Sequence, residues 1–420
     1  MERRVFLSGL AGFFSGWGCR REPRQSVSYD RYGGIREVEG AKTGYFHSQK
    51  IGNRWWLVSP EGHGFISKGV NNVVFAGDVA PALGYSPVER NNQQHYQRIQ
   101  EWAKATAEQL RGWGFNTIGA WSSGELEAEG MPYSLILDCS EVSEPDVWQK
   151  GLFPDVYSQE FREDVDKIAR RECSGRSSDP WLLGYYTDNE LHWERDWRSD
   201  ESVLTLYLGM PARTPAFRRA QEFLKVRGRS PETATAADSA EFLKSAAAEY
   251  FRICADAIRR SDPNHMILGC RFGGPVPGTV LQACGRYVDV VSVNSYGSVA
   301  PLQWLQSVAA VTEKPSLVTE FSFRARDSGL PNNKGAGEVV STQRDRARRF
   351  GQYALGLSSE PSCVGFHWFQ YYDQPREGRF DGENGNVGMV KTDGTPWSEL
   401  TETMKEVNLK VDALAAQRGA

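Results

Sequence analysis

The sequence predicts an α/β protein, a (β/α)8 TIM barrel preceded by a short β-hairpin segment. Three observations predict it. Short apolar, strand-like runs recur along the chain, segments of helical period separate them, and two of the runs close on a glutamate. A carboxylate at the end of a buried strand is poor core material, because ionised groups are rarely buried unpaired. Two of them, on separate strands of an alternating chain, point to one shared cleft.

Residues 1–19 read as an export signal. Arg3-Arg4-Val5-Phe6-Leu7 resembles a twin-arginine consensus, and a weakly apolar stretch follows to Trp17. Gly18-Cys19 then reads either as a lipoprotein cleavage site with a lipid anchor at Cys19, or as an ordinary signal ending beside an incidental cysteine. The segment is too short to span a membrane as a helix. Both readings place the mature chain outside the cytoplasm: periplasmic, membrane-anchored or extracellular. Residues 20–40 read as a polar linker, and 41–415 as one catalytic domain.

Gly44–Val58 alternates about a Gly52-Asn53 turn, as a β-hairpin does. Strands are then expected at 65–70, 115–121, 133–138, 181–188, 265–271, 287–294, 316–320 and 363–369. Helical spacing joins Ile99, Ala103, Ala107 and Leu110. It also joins Leu243, Ala247, Tyr250, Cys254 and Ala257, in a helix stopped by Asp262-Pro263, and Ala347, Phe350, Ala354 and Leu357. A doubly wound sheet is the rival fold, but no GxGxxG or GxxxxGK[ST] turn follows an early strand. Three long polar segments follow strands, at 191–237, 321–340 and 370–397. In a barrel they lie on the face where sites are built, as candidate subsite walls or lids.

Composition narrows the function. The 420 residues carry a net charge of −4 with no Lys/Arg-rich run after residue 25, which argues against a nucleic-acid partner. Cys139, Cys173, Cys254, Cys270, Cys284 and Cys363 are scattered, several within apolar runs, as small buried hydrophobes are. No HExxH or Cys/His cluster supports a metal, and no cofactor is expected. The chain has 13 Trp, and aromatic rings serve both cores and sugar faces.

Glu190 closes Trp181-Leu-Leu-Gly-Tyr-Tyr-Thr-Asp-Asn-Glu190, and Glu320 closes Pro315-Ser-Leu-Val-Thr-Glu320. Glycoside hydrolysis needs a proton for the departing oxygen and a group to trap the oxocarbenium-like carbon, and two carboxyls can do both. Each glutamate has a structural alternative as an ion-pair partner, with Arg324 nearest Glu320 in sequence. Asp188, two residues before Glu190, would point the same way if the strand continued. It would then tune Glu190 by like-charge repulsion.

Asn189-Glu190 after the fourth strand and Glu320 ending the seventh resemble the clan of retaining (β/α)8 glycoside hydrolases. Within it the chain is most similar to the β-agarase family. The matching stretches are Arg54–Phe65 with Gly69-Val-Asn71, Tyr186-Thr-Asp-Asn-Glu-Leu191, and Asn386–Val390 with Asp393-Gly-Thr-Pro396. The resemblance implies double displacement on an agarose-like poly- or oligosaccharide, with Glu190 as acid/base and Glu320 as nucleophile. It further implies Asn189 on the sugar 2-hydroxyl, Tyr296 aiming Glu320, and Trp368 as a stacking floor. Asn71, Trp121, His192, Arg271 and Asn294 lie at or just past strand ends and are candidates for sugar hydroxyls or for structural roles. A related β-galactosidase, β-glucosidase or β-mannanase, or a non-catalytic glycan-binding barrel, remains open.

Overall fold

The computed structural model describes residues 27–143 and 146–419. The export-signal reading, Cys19 included, lies outside them. The described chain opens with a small antiparallel sheet of β1 (Ile35–Glu39), β2 (His47–Ile51), β3 (Arg54–Val58) and β4 (His63–Phe65), in the order β1-β4-β3-β2. β2 and β3 are the expected hairpin, paired from His47↔Val58 to Ile51↔Arg54. The expected linker is different from its reading. Within it, β1 pairs with β4 and buries Ile35 and Val38 completely, so two well-spaced apolar residues outweigh the polar neighbours around them.

A parallel sheet follows, built from β5 (Ser67–Val70), β6 (Thr117–Ile118), β7 (Tyr133–Ile136), β8 (Leu182–Tyr186), β9 (Met266–Gly269), β10 (Val291–Asn294) and β11 (Ser316–Phe321). A short ladder of β12 (Arg324–Ala325) and β13 (Val339–Val340) interrupts it before β14 (Cys363–Trp368). The order is β10-β11-β14-β5-β6-β7-β8-β9. A bridge between Phe272 and Val293, with the Asn294 amide donating to Phe272 O at 2.7 Å, joins the two ends. The eight-stranded barrel expected from the apolar runs is therefore present. Its tight closure needs glycine at two strand positions. A Cβ on Gly184 would stand 2.1 Å from Met266 O, and one on Gly365 would stand 2.2 Å from Ser67 O.

Helices cover the outside: α1 (Pro87–His95), α2 (Ile99–Gly112), α3 (Cys139–Ser143), α4 (Val147–Lys150), α5 (Gln159–Cys173), α6 (Val203–Leu208), α7 (Pro215–Val226), α8 (Ala236–Ser261), α9 (Gly278–Gly285), α10 (Leu302–Thr312), α11 (Gln343–Ser359) and α12 (Ser398–Gly419). Local chemistry sets several of their ends. Thr235 and Asp238 form a reciprocal capping box at the start of α8, and the helix stops before Pro263, whose ring has no N–H to donate. α8 buries Leu243, Ala247, Tyr250, Cys254 and Ala257, the face its spacing predicts. Among the described residues no helix is long and apolar enough to cross a membrane. All six cysteines of the described chain are buried and free.

The core has two parts. One lies between barrel and helices. The other fills the base of the barrel, where Leu183, Leu268, Leu317 and Val364 meet Tyr32, Phe46, Leu57 and Phe65 of the N-terminal segment. The small sheet thus closes the end of the barrel opposite the strand C-termini. Trp55 N donates to Pro361 O at 2.8 Å, just before β14 begins.

Early and late segments of the described chain meet at one buried charge. Asp412 of α12 pairs with Lys68 of β5 and accepts from the Tyr29 hydroxyl at 2.9 Å. Removing one member of a buried pair strands the other. Lys68→Met is expected to lower the unfolding free energy by about 3–5 kcal/mol in urea denaturation. Lys68→Met/Asp412→Leu should recover most of the loss; a double variant no better than the single one would refute the account.

Candidate active site

Glu190 and Glu320 face one cavity of about 830 Å³ at the C-terminal ends of the strands. Asn72, Trp121, Asp138, Trp148, Asn189 and Tyr296 stand among its walls. All three long segments flagged in the sequence reach it: 191–237 through Leu191 and Trp197, 321–340 through Ser322, Gly335 and Ala336, and 370–397 through Arg379, Phe380, Glu383 and Val387. Glu320 is the fifth residue of β11. Glu190 lies four residues beyond β8, and its backbone adopts φ +48°. Asn72, Trp121, Asp138 and Arg271, just past β5, β6, β7 and β9, also have positive φ. Such backbone is disfavoured for residues with a Cβ, by roughly 1–2 kcal/mol. It gathers where the chain must turn sharply into the cavity.

Arg271 is the centre of the arrangement. Its guanidinium is completely buried, lies 2.8 Å from Glu320 Oε1, and donates to Asn189 Oδ1 at 3.0 Å and Thr319 O at 3.1 Å. It also rests over the Trp121 ring, 4.3 Å from the centroid. Glu320 Oε2 accepts from the Tyr296 hydroxyl at 2.5 Å. Oε1, although close to Arg271, has no aligned hydrogen bond. Burial pushes the Glu320 carboxyl up to about 7; the nearby Glu190 charge adds to this, while Arg271, Tyr296 and Arg379 oppose it. The ion-pair partner of Glu320 is therefore Arg271. Arg324 instead donates to loop carbonyls at Lys334 and Gly337.

Glu190 is held differently. Oε1 accepts from Asn294 Nδ2 at 2.9 Å, and Oε2 from the Trp148 indole N–H at 3.3 Å. Gly273 leaves it room, since a Cβ there would stand 2.9 Å from Glu190 Cγ. Asn189 Oδ1 accepts from both Arg271 and Asn294, while its Nδ2 has no protein partner among the described residues. Asp188 does not point alongside Glu190. The strand ends at Tyr186, and Asp188 accepts from Ser140 N at 2.9 Å and from the Tyr250 hydroxyl. Burial pushes its carboxyl up to about 8.

Of the residues expected on the sugar, Asn189, Tyr296 and Trp121 line the cavity beside the two glutamates, and Arg271 and Asn294 touch them from behind. One expectation, Trp368, is corrected, and His192 and Asn71 take the structural one of their two expected roles. Trp368 is fully buried among Phe321, Phe323 and Phe350, with its indole donating to Val387 O at 2.9 Å, so it is core and not a stacking floor. His192 is fully buried between Asp196 and Glu201 O. Asn71, just past β5, ties β11 to the segment after β6, through Thr319 O at 2.6 Å and Ala120 N at 3.0 Å.

The sequence reading passed over Asp138, Trp148, Trp197, Arg379 and Phe380. The aromatic residues were readable as exposed-type rings in polar loops after strands; Trp197 and Phe380 are 63% and 60% exposed at the cavity. Asp138 accepts from the Trp121 indole at 3.3 Å, and burial pushes it up to about 6. One potential metal trio exists among the described residues, Asp30, Glu61 and His63, but it lies in the N-terminal sheet and Asp30 is already bound by Ser59 and His63.

A parallel barrel with two strand-end carboxylates in an aromatic, polar cavity has the parts that glycoside hydrolysis requires. Comparison with known proteins narrows the class: the chain is similar to β-agarases. β-Agarase B of Vibrio sp. (strain JT0107) is 26% identical over 90% of this chain and 50% of its own length. β-Agarase A of the same strain is 28% identical over 84% of this chain and 44% of its own. The crystal structure of an agarase superposes with a TM-score of 0.78 at 27% identity, covering 91% of this chain and 66% of that one. The chain thus spans about half the length of these curated relatives. No protein-family profile matches it.

If Arg271 is the counter-charge of Glu320, its worth depends on Glu320 ionisation. The folded carboxyl, raised above its ordinary 4.5, is protonated at pH 5 and ionised at pH 8. Arg271→Ala is expected to destabilise by about 3–5 kcal/mol at pH 8, and by clearly less at pH 5. Equal losses at the two pH values in urea denaturation would contradict the pairing.

Proposed function

We propose that the chain is a retaining β-glycoside hydrolase acting on an agarose-like galactan outside the cytoplasm, with Glu190 as acid/base and Glu320 as nucleophile. The observation that carries the reading is the meeting of both glutamates in one cavity, each held by its own donors. The galactan follows from the names of the β-agarase relatives. The exported location follows from the twin-arginine-like start of the sequence.

In the first step a Glu320 oxygen attacks the anomeric carbon. The bond to the leaving oxygen breaks, and Glu190 delivers its proton there. Glu320 Oε1 faces the Arg271 guanidinium and Oε2 the Tyr296 hydroxyl, so the carboxylate is held from both sides as it attacks. Arg271 and Tyr296 stabilise the carboxylate before attack and again as it departs. In the second step Glu190 takes a proton from water, the water oxygen bonds the anomeric carbon, and the Glu320 ester breaks. Asn189, its oxygen occupied and its Nδ2 unpartnered, donates to the sugar 2-hydroxyl. Trp121, Trp148, Phe369 and Phe380 supply aromatic walls in place of Trp368.

Product release from agarose oligosaccharides and aryl β-glycosides tests the reading. Glu320→Ala is expected to abolish turnover, and Glu190→Ala to reduce it by about 10²–10⁴-fold on oligosaccharide; a Glu320→Ala enzyme with wild-type rates sinks the mechanism. The nucleophile must be ionised, so kcat/KM should fall as pH drops through about 7, the value to which burial lifts Glu320. Tyr296→Phe removes a donor that favours the ionised form. It should therefore move that acidic limb to higher pH, and an unmoved limb would remove Tyr296 from the role.

A further inference from the structure

Glu190 sits in a backbone conformation its side chain disfavours, and the structure shows what holds it there. Its amide donates to Arg271 O at 3.1 Å, and its carbonyl accepts from Arg198 Nη2 at 2.6 Å. The same guanidinium donates through Nη1 to Trp148 O at 2.8 Å. Trp148 is the residue whose indole N–H reaches Glu190 Oε2. Arg198 therefore grips the main chain of the glutamate and the main chain of the tryptophan that touches its carboxyl. It joins the segment after β7 to the segment after β8.

Arg198 is itself fixed. Its Nη2 and Nε meet Asp196 Oδ2 at 2.6 and 3.2 Å, and its own amide donates to Asp196 Oδ1 at 2.7 Å. Asp196 Oδ2 lies 3.1 Å from His192 Nδ1, and His192 Nε2 lies 2.7 Å from Glu201 O. Burial acts against the Asp196 charge, but the His192 and Arg198 hydrogen bonds outweigh it and hold the carboxyl well below its usual range. The Arg198 side chain is 6% exposed and is absent from the cavity wall. A loop ion pair serving only stability has no need to end on the backbone of both Glu190 and Trp148.

We infer that Arg198, seated by Asp196 and His192, is a positioning residue that aims Glu190 for proton transfer. The inference rests on Glu190 being the acid/base. Because Arg198 acts through Glu190, its loss matters where the leaving group needs a proton and matters little where it does not.

The test measures kcat/KM, which reports the first bond cleavage, for Arg198→Ala and Arg198→Lys on two substrates. One is an agarose oligosaccharide, whose sugar leaving group needs protonation; the other is a dinitrophenyl β-galactoside, whose phenolate leaves unaided. Arg198→Ala is expected to lose about 10–100-fold on the oligosaccharide and less than about threefold on the aryl glycoside. Arg198→Lys should fall between this variant and wild type. Equal losses on both substrates, or none on either, overturn the inference. If Arg198→Ala does not fold by thermal unfolding, Asp196→Asn replaces it, removing the charge that seats Arg198, with the same substrate asymmetry expected. Glu190→Ala is run alongside: equal losses in that variant would reject the acid/base reading itself, whereas asymmetry there with none at Arg198 would reject only the positioning role.

Discussion

A buried guanidinium at the mouth of the barrel makes the rest of the site feasible. Two buried carboxylates cannot sit beside one another without opposing charge and directed donors. Arg271 supplies the charge, and the ring of Trp121 beneath it excludes water from one face. Around it the polar groups form one connected set. Asn189 bridges Arg271 and Asn294, Asn294 reaches Glu190, and Thr319 O returns the chain to β11 next to Glu320. Because each member is fixed by another, the positive φ values at Trp121, Asp138, Glu190 and Arg271 are consequences of the same demand. The strands point their ends at a shared centre, and the backbone bends to follow.

The barrel was legible because burial leaves a period. Each predicted run overlaps one of β5 to β11 or β14, and the helix faces at α2, α8 and α11 bury the residues whose spacing announced them, apart from the half-buried Ile99. The two glutamates were legible for the opposite reason, as charges where the period calls for apolar residues. β1 escaped because five residues with only two apolar ones give too short a pattern to stand out from a linker.

Direction at strand ends was not legible. Asp188 and Glu190 share a parity that would align them in a continuing strand, yet β8 stops at Tyr186 and the two side chains part. Trp368 is still within β14 and turns to the helix layer, whereas Phe369, one residue on, meets the cavity. For His192 and Arg271 the sequence left sugar contact and structural role open, and both are buried groups that hold others in place. Sequence position marks nearness to the mouth of a barrel. Which side chain enters it depends on single backbone angles that no periodicity records.

The knot at Asp412 bears on how the chain is made. Tyr29 lies near the start of the described chain and Lys68 on the first barrel strand, yet their shared partner is on the last helix. β5 also waits for β14, its neighbour across almost 300 residues, before it has partners on both edges. A ribosome emitting this polypeptide from its amino end therefore delivers both the seam and its fastening last. Until then the nascent barrel has an open edge, and its first strand carries a lysine without its anion.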